Sequence, residues 1–239
     1  MLNLKKFLSI FFPQRCPFCK EVISFDKVVC ETCEKKINPR IIKNTLTTRG
    51  GRDFICISPF AYIEPIRSAI HEYKFHGVKS FSVPFGRYIT DVLRENFDVT
   101  KIELITSVPL YKTRKKERGF NQSELFALEI SHLTGIKYVE ILKKVKNNKI
   151  QHELNLSERT ENVKDVYSAA NEVILRGKTV VICDDILTTG NTMAECANVL
   201  FLAGAEKIIG VTIANVENRT KKSTKNYEFS NNIVISKQS

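Results

Sequence analysis

The chain has 239 residues, of which 37 are Lys or Arg and 26 are Asp or Glu, so its formal net charge is +11. With 43% hydrophobic and 26% charged residues it has a globular composition, which excludes disordered and fibrous classes. The positive charge indicates an anionic partner such as phosphate, nucleic acid or a membrane surface, although a solvated Lys-rich surface has the same composition. No stretch reaches the roughly 18 apolar residues that span a bilayer, so we expect a cytoplasmic protein.

Two CxxC pairs lie near the beginning of the sequence, Cys16 with Cys19 and Cys30 with Cys33. Each CxxC turn places two sulfur atoms close together, and structural zinc takes four thiolates in a tetrahedron. We therefore expect these four cysteines to bind structural zinc, with redox chemistry or loss of the metal as the alternatives. The other three cysteines are expected to be small, buried apolar residues: Cys56, Cys183 and Cys196.

Strand-like and helix-like patterns alternate over residues 101–215. Residues 102–108 predict a strand that ends at Pro109, and a helical apolar period then predicts a helix that Gly135 stops. Residues 180–183 form an apolar run typical of a strand that is buried on both faces.

A strand–helix–strand unit starts at this buried strand. Apolar residues between 193 and 201 repeat with the helical period, Gly204 lies where a C′ glycine ends a helix, and residues 208–213 predict another buried strand. A βαβ unit of this kind joins parallel strands. The sequence therefore predicts an α/β fold with a mainly parallel sheet flanked by helices.

The most informative stretch is residues 178–192, with the sequence KTVVICDDILTTGNT. It predicts Asp184 and Asp185 at the carboxyl end of a strand, where α/β proteins bind ligands. The hydroxyl-rich turn that follows leads into a helix, so its N–H groups, hydroxyls and helix dipole suit a phosphate monoester. The carboxylates are placed to accept hydrogen bonds from sugar hydroxyls or to hold a divalent metal through its waters, whereas helix capping alone needs only one of them.

A second candidate site is the basic stretch that follows the strand ending at Pro109. Five of the seven residues from 112 to 118 are Lys or Arg. We expect a basic loop here that clamps a pyrophosphate or meets a nucleic-acid backbone, with a solvated run of charge as the alternative.

Residues 180–192 resemble the phosphoribosyl pyrophosphate (PRPP) signature of the type I phosphoribosyltransferase family, an apolar strand, two acidic residues and a TTGxT-like loop. The resemblance implies a type I phosphoribosyltransferase-like fold, PRPP as ligand and Mg²⁺ as cofactor. It assigns the ribose hydroxyls to Asp184 and Asp185. It also implies a PRPP site completed by the loop and by the end of the upstream strand: Leu187, Thr188, Thr189, Gly190, Asn191, Thr192, Val108, Pro109 and Leu110.

The chemistry that this resemblance implies passes through a cation-like ribose, which nearby carboxylates stabilise. Mg²⁺ would neutralise the leaving pyrophosphate. The candidate catalytic residues are the two carboxylates and two cations that would meet the pyrophosphate: Asp184, Asp185, Lys74 and Arg118. The candidates for contact with an acceptor substrate or DNA are Lys112, Arg114, Lys115, Lys116 and Gln122, and capping of the next helix is the alternative for Gln122.

A closer resemblance is to the ComF family. Its motifs are VPL at 108–110, RGFNQ at 118–122 and YKFHG at 73–77, together with the CxxC pairs and the TTGxT loop, and a QxxL…RxxN pattern matches Gln151, Arg159 and Asn162. The resemblance implies a PRPP-binding protein that acts in the uptake or processing of single-stranded DNA in natural competence, beside the import helicase and recombination proteins. The alternatives are a binding module without catalysis, for single-stranded DNA or protein, and a base-salvage phosphoribosyltransferase.

The expected organisation has four parts. Residues 1–40 form the zinc-binding segment, 41–100 a connecting region or hood, 101–216 the phosphoribosyltransferase-like core, and 217–239 a polar tail.

Overall fold

The computed structural model describes residues 13–24, 27–37, 39–146, 166–169 and 175–216. The strands are β1 (Ile42–Thr47), β2 (Asp53–Ser58), β3 (Phe60–Ala61), β4 (Leu104–Ser107), β5 (Lys137–Tyr138), β6 (Leu142–Lys144), β7 (Tyr167–Ala169), β8 (Thr179–Leu187) and β9 (Lys207–Asn215). The α-helices are α1 (Glu31–Lys36), α2 (Ile66–Phe75), α3 (Ser82–Asn96), α4 (Lys112–Arg118), α5 (Gln122–Thr134) and α6 (Asn191–Leu202). Short 3₁₀ turns lie at Lys79–Phe81 and Val99–Lys101.

The main sheet has the strand order β1-β2-β9-β8-β4-β5, and the short strand β3 also pairs with β9. All its pairs are parallel except β1 with β2, which form an antiparallel hairpin at one edge. A separate antiparallel pair joins β6 and β7. The predicted α/β fold with a mainly parallel sheet is therefore confirmed.

The central strand β8 shows why the apolar run at 180–183 is continuous. Val181 and Cys183 belong to a core cluster with residues of α2, α3 and α5, whereas Val180 and Ile182 belong to a second cluster with residues of α6. Successive side chains of a strand point to opposite faces of the sheet, so both faces must be apolar when helices cover both.

The predicted helix and βαβ unit are also confirmed. Helix α5 ends at Gly135, which adopts a φ of 76°, and its N–H donates to the carbonyl of Ser131. Strands β8 and β9 are parallel neighbours joined through α6, and Gly204 after that helix has a φ of +100°.

The basic stretch at 112–118 is a helix, α4, and the loop prediction was wrong. Lys, Arg and Glu are good helix formers, and Gly119 adopts a left-handed φ of 74° that ends the helix by donating its N–H to the carbonyl of Lys115.

The N-terminal segment packs on the face of the sheet that carries α2, α3 and α5. Phe18 lies edge-to-face against Phe60 and Phe85, with ring centroids 6.4 Å apart in each pair, and Cys16 is fully buried in the same cluster. Strands β1 and β2 of the sheet lie in residues 41–100, the region expected to form the hood, whereas its central strands lie in the expected core. In the described ranges no helix is long and apolar enough to cross a membrane.

Candidate functional site

The site is built at the edge of the sheet where the parallel strands β4, β8 and β9 have their carboxyl ends. The backbone after β4 is tied to β8, because Val108 N–H donates to the carbonyl of Cys183 at 2.9 Å. The backbone after β9 is tied to the same strand by Val216 N–H, which donates to the carbonyl of Leu187 at 2.8 Å. Ligands of α/β proteins bind at such an edge.

Asp184 and Asp185 lie inside β8, which continues to Leu187, and not after its end. The Oδ1 atom of Asp184 accepts hydrogen bonds from its neighbour's backbone N–H at 2.8 Å and from Ser123 Oγ at 3.3 Å. The Oδ2 atom of Asp185 lies 2.8 Å from Lys74 Nζ, and these two side chains are 18% and 17% exposed. The two adjacent carboxylates therefore have different partners, a hydroxyl for one and an ammonium for the other.

The first of these carboxylates holds its proton unusually tightly. Burial, and then the negative charge of Asp185, raise the pKa of Asp184 to about 7, against weaker opposing effects that include Lys74 and Ser123. A carboxylate with a pKa near neutrality changes its charge in the physiological range, and such groups are typical of functional sites.

Gln122 connects the two candidate cations. Its Nε2 donates to the carbonyl of Lys74 and its Oε1 accepts from Arg118 Nη1, each at 3.2 Å, while its own carbonyl accepts from the hydroxyl of Tyr73 at 2.7 Å. Gln122 is 1% exposed, and the cap of its helix is Asn121, whose side chain accepts from Ser123 N–H. Gln122 thus joins the end of α2 to the beginning of α5, and its contact with a substrate stays a prediction.

Arg118 is half-buried beside Phe75, with its guanidinium carbon 5.2 Å from the ring centroid. Burial lowers the pKa of Arg118, and the charge of Asp185 opposes that shift. An arginine stays charged at any physiological pH, so Arg118 and Lys74 supply positive charge near the same carboxylate.

The predicted phosphate loop runs from the end of β8 into α6. Thr188 and Thr189 are exposed, and Gly190 adopts a left-handed φ of 80° where the helix begins. Gly190 is the N-cap residue and has no side chain to offer, and the Oγ1 of Thr189 accepts weakly from Asn191 N–H at 3.5 Å. Thr192 lies in the first turn of α6, whereas Leu187 is buried in the core.

The remaining predicted residues surround this edge. Val108 and Pro109 are buried, Leu110 is half-buried, and the carbonyl of Val108 accepts from Asn121 Nδ2 at 3.0 Å. On α4, Arg114 is half-buried, while three lysines are exposed: Lys112, Lys115 and Lys116. Lys115 Nζ lies 3.3 Å from Glu124 Oε2. Gln151, Arg159 and Asn162 lie outside the described residues.

The four cysteines of the N-terminal segment come together as predicted. The sulfur atoms of Cys16, Cys19, Cys30 and Cys33 all lie within 4.8 Å of one another. Four thiols at this separation fit the tetrahedral coordination of a structural zinc ion, with sulfur atoms at about 2.3 Å from the metal. Although burial opposes ionisation, backbone hydrogen bonds lower the pKa of Cys16 to about 7, so this thiol readily supplies a thiolate. Cys56, Cys183 and Cys196 are each 0% exposed, as expected of apolar core residues.

Two residues beside the site have no signal in the sequence, Ser123 and Leu46. Ser123 has the sequence context of any polar residue in the first turn of a helix. Leu46 in β1 contacts the predicted phosphate loop at Gly190, which lies 144 positions later in the sequence, so no local pattern indicates this contact.

Two family models match parts of the chain. The family model for the phosphoribosyl transferase domain matches residues 67–238, and the model for the double zinc ribbon domain matches residues 7–56. The first match covers more than half of the chain. The chain belongs to the phosphoribosyl transferase family.

Its relatives include proteins named for DNA use. The chain is 28% identical over 221 residues to Competence protein F of Haemophilus influenzae, a match that covers 83% of this chain and 95% of that protein. It is 27% identical over 197 residues to DNA utilization protein YhgH of Salmonella typhimurium, covering 81% and 80%, and 26% identical over 195 residues to Competence protein ComFC of Bacillus subtilis, covering 79% and 72%. These similarities confirm the predicted resemblance to the ComF family.

Among solved structures, the chain is similar to adenine phosphoribosyltransferase from Thermoanaerobacter pseudethanolicus, with a TM-score of 0.36 and 17% identity. That similarity covers 76% of this chain and 98% of the other.

Proposed function

We propose that this protein binds PRPP at the carboxyl edge of its sheet and acts in the use of single-stranded DNA during natural competence. The single observation that carries the PRPP site is the pair of adjacent carboxylates in β8, followed directly by the phosphate loop at 188–192. The loop receives the 5′-phosphate on the N–H groups at the beginning of α6, and Asp184 and Asp185 accept hydrogen bonds from the ribose hydroxyls.

The pyrophosphate end of the ligand lies toward Lys74 and Arg118 in this proposal. Lys74 Nζ is in contact with Asp185, and Arg118 is near enough for the charge of that carboxylate to affect its pKa, so both cations are close to a group that binds there. Mg²⁺ fits a site of two carboxylates because it prefers oxygen ligands, and when bound it would neutralise the pyrophosphate charge.

The residues of the chain then favour transfer of the ribosyl group in two ways. Negative charge from the β8 carboxylates stabilises positive charge that develops on the ribose, while Lys74 and Arg118 stabilise negative charge on the departing pyrophosphate. To stabilise the ribose in this way the Asp184 carboxyl must be ionised, because a neutral acid offers the ribose less negative charge.

The cellular role follows from the relatives. Proteins named for competence and for DNA utilisation match about four fifths of the chain, which favours a role in the cytoplasm with imported single-stranded DNA over base salvage. The competence helicase and recombination proteins are the partners expected in that setting.

A second candidate function, direct binding of single-stranded DNA, is favoured by α4. Its exposed lysines form a cationic surface next to the carboxyl edge, where a phosphate backbone can lie. The exposed lysines of α4 are not among the residues proposed to bind PRPP, so different variants can test the two functions.

The decisive experiment is calorimetric titration of PRPP in the presence of Mg²⁺ into the wild-type chain, Asp185→Asn and Asp98→Asn. Asp98 is an exposed aspartate beside the 3₁₀ turn that precedes β4, at the opposite edge of the sheet, so its variant is the matched control. We expect binding by the wild type and the control, and a loss of at least about tenfold in Asp185→Asn. Absence of heat with the wild type, or equal affinity in all three chains, would exclude the proposed PRPP site.

A further inference from the structure

The β1–β2 hairpin lies against α6, the helix whose first turn forms the phosphate loop. At the tip of the hairpin, Gly50 N–H donates to Asn198 Oδ1 at 3.0 Å. The neighbouring Arg49 places Nη2 3.5 Å from Oε1 of Glu195, a carboxylate that is almost fully buried. The hairpin is therefore fixed along the middle of α6 by a hydrogen bond and an ion pair.

A third contact reaches the phosphate loop itself. If Gly190 carried a Cβ, that atom would lie 2.8 Å from Cδ2 and 3.4 Å from Cδ1 of Leu46. The isobutyl group of Leu46 therefore rests directly on the Cα of the glycine that starts α6. Leu46 is half-buried and packs against the same core cluster as α6.

We propose that Leu46 is a positioning residue for the phosphate loop, and that the β1–β2 hairpin sets the affinity of this loop for a phosphate monoester through it. The proposal rests on PRPP binding as the function of the loop. It concerns a part of the chain outside the phosphoribosyl transferase match, which begins at residue 67.

The physical argument concerns the left-handed backbone of Gly190. A glycine can adopt many backbone conformations, and a departure from the observed φ of 80° changes the directions of the loop N–H groups. A side chain packed on its Cα removes the space that these alternatives need. Binding is then stronger because less conformational entropy is lost when the phosphate arrives.

The contact also accounts for a glycine in this position on two independent grounds. Any other residue is strained by the positive φ, and its Cβ would also collide with Leu46. The two contributions separate when Leu46 is shortened, because the collision disappears and the strain remains.

The test is a double-mutant cycle with Leu46→Ala, Gly190→Ala and the double variant, with the affinity for PRPP and Mg²⁺ measured by calorimetry. We expect Leu46→Ala to weaken binding by about tenfold, and Gly190→Ala to weaken it by less in the Leu46→Ala background than in the wild type, by a factor of at least about three. Leu202→Ala is the matched control, since Leu202 lies at the far end of α6 and is 78% exposed. Its affinity should equal that of the wild type.

Hydrogen exchange of the loop amides, measured without ligand, is the second readout and does not depend on PRPP. Leu46→Ala should speed exchange at Ala194, whose N–H donates to the carbonyl of Gly190 at 2.8 Å, by about tenfold while leaving the centre of β8 protected. Leu46→Val removes one methylene and keeps the strand. It should speed exchange at the same position by a smaller factor. It serves as the test if the alanine variant does not fold.

The outcomes separate the two proposals. If the wild type shows no PRPP binding but Leu46→Ala still loosens the loop, the proposed ligand is wrong and the positioning role stands. Unchanged loop exchange in both Leu46 variants, or additive effects of Leu46→Ala and Gly190→Ala on affinity, would overturn the positioning role.

Discussion

The ammonium of Lys74 lies 2.8 Å from the Oδ2 atom of Asp185, and both side chains are largely buried. In the proposed function one of these residues meets the pyrophosphate and the other the ribose, so the ligand must replace an ion pair that already exists. The pair holds the cation close to the edge of the sheet. Ligand binding then exchanges one set of charge-assisted hydrogen bonds for another.

Replacement of Lys74 by methionine tests this relationship. Lys74→Met keeps most of the side-chain volume but leaves Asp185 without its nearest cation, so we expect a stability loss of about 1–2 kcal/mol. The affinity for PRPP should fall by about tenfold because a cation facing the pyrophosphate is lost.

The control for this variant is Lys101→Met. Lys101 pairs with Asp98 at 3.6 Å on the surface, where ion pairs contribute little to stability. Equal effects of the two substitutions on melting and on PRPP titration would contradict the role assigned to Lys74.

The pKa of Asp184 predicts a pH dependence with a definite sign. Burial raises the folded-state pKa from its ordinary value of 3.8 to about 7, so the folded protein holds this proton more tightly than the unfolded chain. Its contribution to stability is therefore present below about pH 4 and is lost as the pH rises to about 7. Asp184→Asn cannot titrate at this position. The free energy of unfolding of this variant, relative to that of the wild type, should therefore increase by about 2 kcal/mol from pH 5 to pH 8, as measured by chemical denaturation.

Ligand affinity should change in the opposite sense, because PRPP and Mg²⁺ need the ionised carboxylate. We expect wild-type affinity to rise as the pH is raised from 6 to 8. The profile of Asp98→Asn should follow the wild type. A stability difference between wild type and Asp184→Asn that is independent of pH would show that Asp184 does not titrate in this range.

The zinc site predicts a metal content that depends on four of the seven cysteines. Cys30→Ala should abolish binding of one zinc ion per chain and lower the melting temperature by about 10 °C, because the N-terminal segment packs on the core through Phe18. Cys196→Ala replaces a cysteine that is buried in the other core cluster, so its zinc content should equal that of the wild type. Retention of zinc by Cys30→Ala in elemental analysis would contradict the site.

The α4 surface predicts a change in the salt dependence of DNA binding. Lys112→Ala with Lys116→Ala should reduce the slope of log affinity for single-stranded DNA against log salt by about 1.4, or about 0.7 for each lost phosphate contact. The matched control is Lys101→Ala with Lys137→Ala, two exposed lysines near the amino ends of β4 and β5, at the opposite edge of the sheet. If both double variants change the slope equally, the DNA contact is a general effect of net charge.

The parts of the fold that could be predicted are those with a strong local pattern. The run at 180–183, the helical period that ends at Gly135 and the CxxC spacing each reflect physics within a few residues. They therefore identify β8, α5 and the zinc segment. Helix α4 was missed because the same charges that suggest a solvated loop also have high helix propensity, and Gly119 provides the stop.

The parts of the site that could not be predicted depend on distant packing. Nothing near Lys74 in the sequence indicates that it pairs with Asp185, and nothing near Leu46 indicates Gly190. Gln122 is a polar residue in a basic motif, and only the fold shows that its amide is buried between α2 and α5. Motifs identify the residue types of the site, whereas the tertiary structure determines which of them act on one another.

The most direct measurement of the central claim is the structure of a crystal soaked with PRPP and Mg²⁺. We predict the 5′-phosphate on the N–H groups of residues 188–192, the ribose hydroxyls on Asp184 and Asp185, and Lys74 moved from Asp185 toward the pyrophosphate. Electron density for the ligand elsewhere, with the Lys74–Asp185 ion pair still intact, would contradict this account.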